Sequence, residues 1–194
     1  KNSVDVLPGS GIDLKKFTPT QIKSKEKVTF LLISRLIADK GIYEYIDAIK
    51  LLKSEGIEAN FQLLGSKDHE HKRGIPLDII DNWIKEGIVE YLGKTDDVRP
   101  YINDADCIVL PSYREGTPRT LLEAASSMRP IIATNVPGCN NIVKDGFNGL
   151  LCKERDAADL AEKMKREERI NKKEKQNKKD KEKEKINETE TEKK

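Results

Sequence analysis

The chain has 194 residues, of which 36% are charged and 36% apolar, with 36 Lys and Arg against 34 Asp and Glu. The charge is uneven: residues 163–194 hold 14 of the basic and 9 of the acidic residues, so this end is +5 and residues 1–162 are −3. A mildly acidic body argues against a nucleic-acid partner, and the lack of any run of about 18 apolar residues argues against a membrane span.

In chain order, the start at Lys1-Asn2-Ser3 lacks Met and an apolar leader and reads as a chain cut from something longer. Val4-Asp5-Val6-Leu7 is a short apolar run stopped by Pro8-Gly9. Residues 28–33 are apolar except for Thr29 and of strand length. In residues 41–55, Ile42, Tyr45, Ile46, Ile49 and Leu52 recur at helical spacing. Residues 60–64 predict a strand, 76–85 a helix with Leu77, Ile80 and Ile84 on one stripe, and 88–92 a strand. Residues 96–103 predict a short helix, with Asp96 and Asp97 complementing its dipole at the start. Residues 107–110 form the next strand, 117–128 a helix, 130–133 a strand, 150–151 a last short strand, and 156–164 the beginning of a helix. Trp83 lies beside its helix's apolar stripe and belongs to the core.

Strands that are apolar throughout, each followed by a helix, imply a parallel sheet covered on both faces. The expected fold is therefore an α/β, Rossmann-like, doubly wound domain over residues 1–164. After Met164 only Ile170 and Ile186 are large aliphatics, so residues 165–194 are expected to be a low-complexity Lys/Glu-rich tail, disordered beyond a few helical turns. Cys107, Cys139 and Cys152 are odd in number and show no C-x-x-C, so they read as reduced thiols of a cytosolic protein rather than as a disulfide set or a zinc site.

In such a sheet, ligands sit beyond the carboxyl ends of the strands. The loops that matter are then 34–40, 65–74, 93–97, 112–117 and 134–140. Ser112-Tyr113-Arg114-Glu115-Gly116-Thr117-Pro118-Arg119-Thr120 reads as a strand end, a loop and a helix start. Thr117 is placed as the N-cap and Pro118 at the first helical position. The free N–H groups near Arg119 and Thr120 would favour a phosphate. Glu115 falls in the loop, and Glu123 inside the helix. Arg35 and Lys40 lie in the loop after the first central strand, where a guanidinium can clamp a phosphate and an ammonium adds a point charge. Two carboxylates beside such cations suit the hydroxyls of ribose and of a sugar. The group suggests a nucleoside diphosphate-sugar.

These residues carry a resemblance. Glu115 and Glu123 in Glu-x7-Glu spacing, Arg35 with Lys40, Gly11-Ile12-Asp13, Pro137-Gly138-Cys139 and Asp145-Gly146-Phe147-Asn148-Gly149-Leu150-Leu151 stand in the order of family 4 GT-B glycosyltransferases. Residues 4–164 resemble the C-terminal, donor-binding half of that fold, with wording closest to bacterial enzymes of lipid-linked oligosaccharide assembly. The resemblance implies a retaining transferase that uses a nucleotide-sugar, here a UDP-hexose or UDP-HexNAc, with a glycan or lipid-linked acceptor and no cofactor or metal. It implies catalytic roles for Glu115 at the donor sugar and for Arg35 and Lys40 at the leaving diphosphate. Glu123 would hold the ribose, with Gly116, Thr117, Arg119 and Thr120 lining the donor site. The partner implied is an N-terminal, acceptor-binding domain absent from this chain. The location implied is cytoplasmic, at the inner face of the membrane, with at most peripheral membrane contact. The alternative is a catalytically silent nucleotide-binding or interaction module.

Weaker signals are read structurally. Asp104-Ala105-Asp106 matches the metal-binding Asp-x-Asp of GT-A glycosyltransferases but precedes a strand instead of following one. His69 and His71 flank Glu70 in a polar loop without a third ligand. Gly9-Ser10-Gly11 lacks the third glycine of a dinucleotide fingerprint.

Overall fold

Val28–Ile33 forms β1, all six residues buried, because its side chains point alternately into two separate cores. The computed structural model describes residues 11–21 and 25–191. The expected strand at residues 4–7, its Pro8-Gly9 stop and Ser10 lie outside the described residues. The remaining elements are α1 (Ile42–Ser54), β2 (Ala59–Leu64), α2 (Leu77–Lys85), β3 (Glu90–Tyr91), α3 (Arg99–Asp104), β4 (Cys107–Leu110), α4 (Arg119–Ser126), β5 (Ile131–Thr134), β6 (Gly149–Cys152) and α5 (Ala157–Thr191). The six strands make one sheet in the order β3-β2-β1-β4-β5-β6, with every pairing parallel. This is the doubly wound, Rossmann-like architecture expected from the sequence.

On one face Phe30 and Leu32 pack against Tyr45, Ile46 and Ile49 of α1, Ile80 and Trp83 of α2, and Leu160 and Met164 of α5. On the other, Leu31 and Ile33 meet Ile102 of α3 and Leu121 and Ala124 of α4. Truncating Leu32, fully buried at the centre, to alanine would cost about 2–5 kcal/mol. All three cysteines are buried as free thiols, Cys107 in β4, Cys152 in β6, and Cys139 in the loop after β5.

Three local differences from the sequence reading have physical causes. Helix α3 starts at Arg99, not at residue 96, because the Asp97 carboxylate accepts from Arg99 N (3.1 Å) in an Asx turn that leaves Asp97 ahead of the helix. In α4, Thr117 is not the cap. Pro118 occupies that place with an extended ψ of 113°, and its carbonyl accepts from Leu121 N at 3.1 Å. The boundary at 164/165 is not a break in α5: the backbone is helical to Thr191, and Glu167, Glu168 and Asn171 are buried at its middle. The expected disordered tail therefore begins as part of the body.

At the amino ends of β4 and β5 a set of polar groups is closed inside the protein. Thr29 N donates to Asp106 Oδ2 (2.8 Å), and Asp106 is 1% exposed. Of Asp104-Ala105-Asp106, Asp106 thus serves strand pairing at the edge opposite the crevice, while Asp104 is exposed and pairs with Lys25 (2.7 Å). Arg129 is 2% exposed and donates to the carbonyls of Ile102 (3.0 Å), Asn103 (2.9 Å), Thr20 (2.9 Å) and Ser127 (3.3 Å) and to Thr20 Oγ1 (2.6 Å). It clamps the segment before β1 onto the sheet. The Ser126 hydroxyl adds to this hold by donating to Phe17 O.

Candidate functional site

The strand order reverses between β1 and β4, so the loops leaving their carboxyl ends part and open a crevice. Residues 34–41 leave β1 and residues 111–118 leave β4. The two loops are fastened together: Tyr113 N donates to Asp39 O (2.9 Å), and Gly41, at φ 70°, rests so close to Pro111 that any Cβ would overlap its carbonyl oxygen. That contact sets the turn bearing Lys40 against the loop bearing Glu115. Lys40 Nζ and Glu115 Oε1 are 2.5 Å apart, with the two side chains 22% and 11% exposed. A further support lies beneath: a Cβ on Gly138, at φ 90°, would overlap Gly116 O. Glu115 is thus held from below by the loop after β5.

Tyr113 braces the same region. Its hydroxyl donates to Glu44 Oε1 (2.6 Å), and the Arg155 guanidinium lies 4.3 Å from its ring centre. Burial, then the Glu44 carboxylate, push the phenol above its ordinary range, so it remains a donor.

At the start of α4, the first helical donors are Leu121 and Leu122, so the N–H groups of Arg119 and Thr120 precede the ladder and face the crevice edge. Glu123 lies one turn further and is buried, with Arg119 Nη2 at 3.7 Å from its Oε1. Burial raises the Glu123 pKa, and the Arg119 charge draws it part of the way back. Arg35, at the mouth, pairs with Asp68 at 3.2 Å and remains more than half exposed.

The first turn of α4 divides the crevice into two clefts that share Arg119 and Thr120. One, of about 200 Å³, is lined by Arg35, Lys40, Glu115 and Pro118. The other, of about 470 Å³, is lined by Lys16, Phe17, Asp97, Arg99 and Glu123. The structure therefore brings Arg35, Lys40, Glu115, Arg119, Thr120 and Glu123 to one crevice, with Gly116 and Thr117 in the loop between them.

Sequence reasoning missed the second cleft's far wall. Phe17 arrives there from the segment before β1, held by Ser126 and by the Arg129 clamp at Thr20. Nothing in local periodicity signals such a long-range contact. Asp97, read as a helix-dipole residue, instead binds the Arg99 side chain through both oxygens (2.8 and 2.7 Å), and those bonds lower its pKa to about 2. His69 and His71 stay in an exposed loop, with His71 Nδ1 accepting from Arg73 N (3.1 Å). Among the described residues, no three of His, Cys, Asp and Glu gather as a metal site, and no helix is long and apolar enough to cross a membrane.

Residues 27–167 match the family model for glycosyl transferases group 1. Among curated relatives, the N,N'-diacetylbacillosaminyl-diphospho-undecaprenol alpha-1,3-N-acetylgalactosaminyltransferase of Campylobacter jejuni is 32% identical over 176 residues, covering 84% of this chain and 45% of the relative. The UDP-Gal:alpha-D-GlcNAc-diphosphoundecaprenol alpha-1,3-galactosyltransferase of Escherichia coli is 29% identical over 165 residues, covering 79% and 42%. Among solved structures, sucrose-phosphate synthase from Thermosynechococcus elongatus superposes with a TM-score of 0.70 at 25% identity, over 83% of this chain and 42% of that one. Anabaena Alr3699/HepE in complex with UDP shares the fold, with a TM-score of 0.64 at 20% identity over 78% and 44%. The chain spans less than half the length of these relatives.

Proposed function

The chain belongs to the glycosyl transferases group 1 family, and from that premise we propose that it is the donor-binding half of a retaining GT-B enzyme. The donor is a nucleoside diphosphate-sugar, a UDP-hexose or UDP-HexNAc, and the acceptor a glycan or a lipid-linked glycan. The names of the Campylobacter and Escherichia relatives, both acting on diphospho-undecaprenol-linked sugars, support that acceptor class. They also support work at the cytoplasmic face of a membrane. An N-terminal domain would complete the crevice and bind the acceptor.

The observation that carries this reading is the pair of acid–cation contacts on either side of the α4 start. Lys40 with Glu115 belongs to the smaller cleft, and Arg119 with Glu123 to the boundary of the larger. Phosphate oxygens placed between Arg35, Lys40 and the Arg119 and Thr120 N–H groups would meet positive charge from three directions. As the bond from the anomeric carbon to the leaving oxygen lengthens, negative charge grows on the β-phosphate, and these groups stabilise it more than they stabilise the ground state. Glu115, next to Lys40, orients the sugar and steadies the positive anomeric centre. Glu123, in the larger cleft, accepts from ribose hydroxyls. No metal is assigned a role.

Calorimetry with UDP, GDP and ADP in the presence of EDTA tests the donor reading, and strict dependence on Mg²⁺ or Mn²⁺ would sink it. In the intact enzyme, Glu123→Ala should weaken nucleotide binding by about 1.5–3 kcal/mol. Glu115→Ala should lower kcat while leaving bare-nucleotide affinity nearly unchanged. The opposite pattern would overturn the two roles.

A further inference from the structure

The loop between β2 and α2 contributes to neither cleft, yet it is tied along its length to the loop that bears Arg35 and Lys40. Leu36 N donates to Ser66 O (2.9 Å), Ala38 N to Arg73 O (2.8 Å), and Ile75 N to Leu36 O (3.2 Å), while Ile37 and Gly74 form an antiparallel bridge. Side chains repeat the pattern at both ends. Asp68 pairs with Arg35 at 3.2 Å, and Arg73 pairs with Asp39, the neighbour of Lys40. The loop is in turn fixed to α2, where Lys67 Nζ meets Asp81 Oδ1 at 2.7 Å. Asp68 is itself held, its carbonyl accepting from His71 N at 3.1 Å.

Arg35 engages Asp68 through Nη1 alone. Its Nη2 and Nε have no partner among the described residues, and the side chain lines the 200 Å³ cleft with Lys40 and Glu115. A guanidinium gripped at one nitrogen has its range of orientations narrowed and keeps its remaining N–H donors for further oxygens. We propose that Asp68 is a positioning residue, which holds the guanidinium of Arg35 so that its unused donors face a diphosphate in that cleft. The proposal rests on the donor-site reading above. An arginine at a loop tip, free to rotate, would lose side-chain entropy on clamping a phosphate, and Asp68 reduces that loss before the ligand arrives.

The test is a double-mutant cycle read by titration of the protein with UDP, inorganic pyrophosphate and uridine. Arg35→Ala should weaken UDP and pyrophosphate about tenfold or more. Asp68→Ala should weaken both about three- to fivefold, as suits a half-exposed ion pair, with Asp68→Asn in between because its amide oxygen still accepts from Arg35. In the Arg35→Ala background, Asp68→Ala should do nothing further, and uridine should bind all five proteins alike. Tighter UDP binding by Asp68→Ala would mean that the carboxylate competes for Arg35, which overturns the proposal. An undiminished loss in the Arg35→Ala background, or an equal loss for uridine, would overturn it too, by showing general loop damage. If Arg35→Ala leaves UDP and pyrophosphate unaffected, the donor-site reading fails and Asp68 falls with it. That result is distinct from a failure of Asp68 alone.

Discussion

At the carboxyl edge of the sheet, Lys40 and Glu115 meet across a cleft with part of each side chain open to water, and Arg35 and Arg119 are more than half exposed. At the amino edge, Arg129, Asp106 and Glu167 are 2%, 1% and 7% exposed. The partners differ as well as the depth. Crevice cations face carboxylates, each of which a ligand oxygen can replace. Arg129 instead donates to four backbone carbonyls and a hydroxyl, none of which can find another donor without unfolding. The first arrangement is exchangeable; the second is scaffold. The same residue types therefore do opposite work according to what their partners could do without them.

The largest expected effect breaks the scaffold side. Arg129→Ala leaves buried carbonyls unpaired and should cost about 3–5 kcal/mol in urea unfolding, whereas Arg35→Ala, which removes an ion pair open to water, should cost less than about 1 kcal/mol. Similar losses for the two would erase the contrast.

Glu167 sharpens the comparison by pH. Burial, with the Glu174 and Asp106 carboxylates, pushes its pKa from 4.5 to about 7 against a smaller pull from Arg166. Between those values the folded protein keeps a proton that the unfolded chain has released. Stability should therefore fall as pH rises through that window and be lowest above pH 7. Glu167→Gln should flatten the profile and stabilise the protein at pH 8 by up to ~3 kcal/mol. A profile unchanged by the substitution would remove Glu167 from the buried set.

The smallest effect concerns the chain's end. Residues 178–194 contain one large aliphatic, Ile186, among Lys and Glu. Deleting them should move the melting temperature by less than about 1 °C, since too little apolar area is at stake. Deleting from Ile170 should do more, because it also removes Asn171, which is buried, and Lys175, whose Nζ is 4.0 Å from Asp106 Oδ1.

The sequence made the sheet legible because β1, β4 and β5 are apolar on both faces and α1 repeats at helical spacing. It made Arg35, Lys40, Glu115 and Glu123 legible as neighbours because all four follow strands that end at one edge. The pairing of Asp68 with Arg35 and the place of Phe17 in the crevice were not legible, since each is a contact between distant segments. The middle of α5 was misread for a related reason. Counting apolar residues treats Glu168 and Asn171 as solvated, but both are buried, and Lys172 Nζ lies 2.5 Å from Glu168 Oε1.

The three buried thiols have a consequence for watching this protein move. Burial raises the Cys139 pKa to about 11 and the Cys152 pKa to about 12, and Cys107 is raised as well. At pH 8 roughly one Cys139 in a thousand would be thiolate even if reagent could reach it. Alkylation must therefore wait for the chain to open, and each sulfur times a different opening. Cys107 reports the central strand and Cys152 the edge strand. Cys139, adjacent to the glycine wedged under Gly116, reports the lifting of the floor on which Glu115 rests. The native cysteines thus form three clocks at known depths, with no label to be engineered.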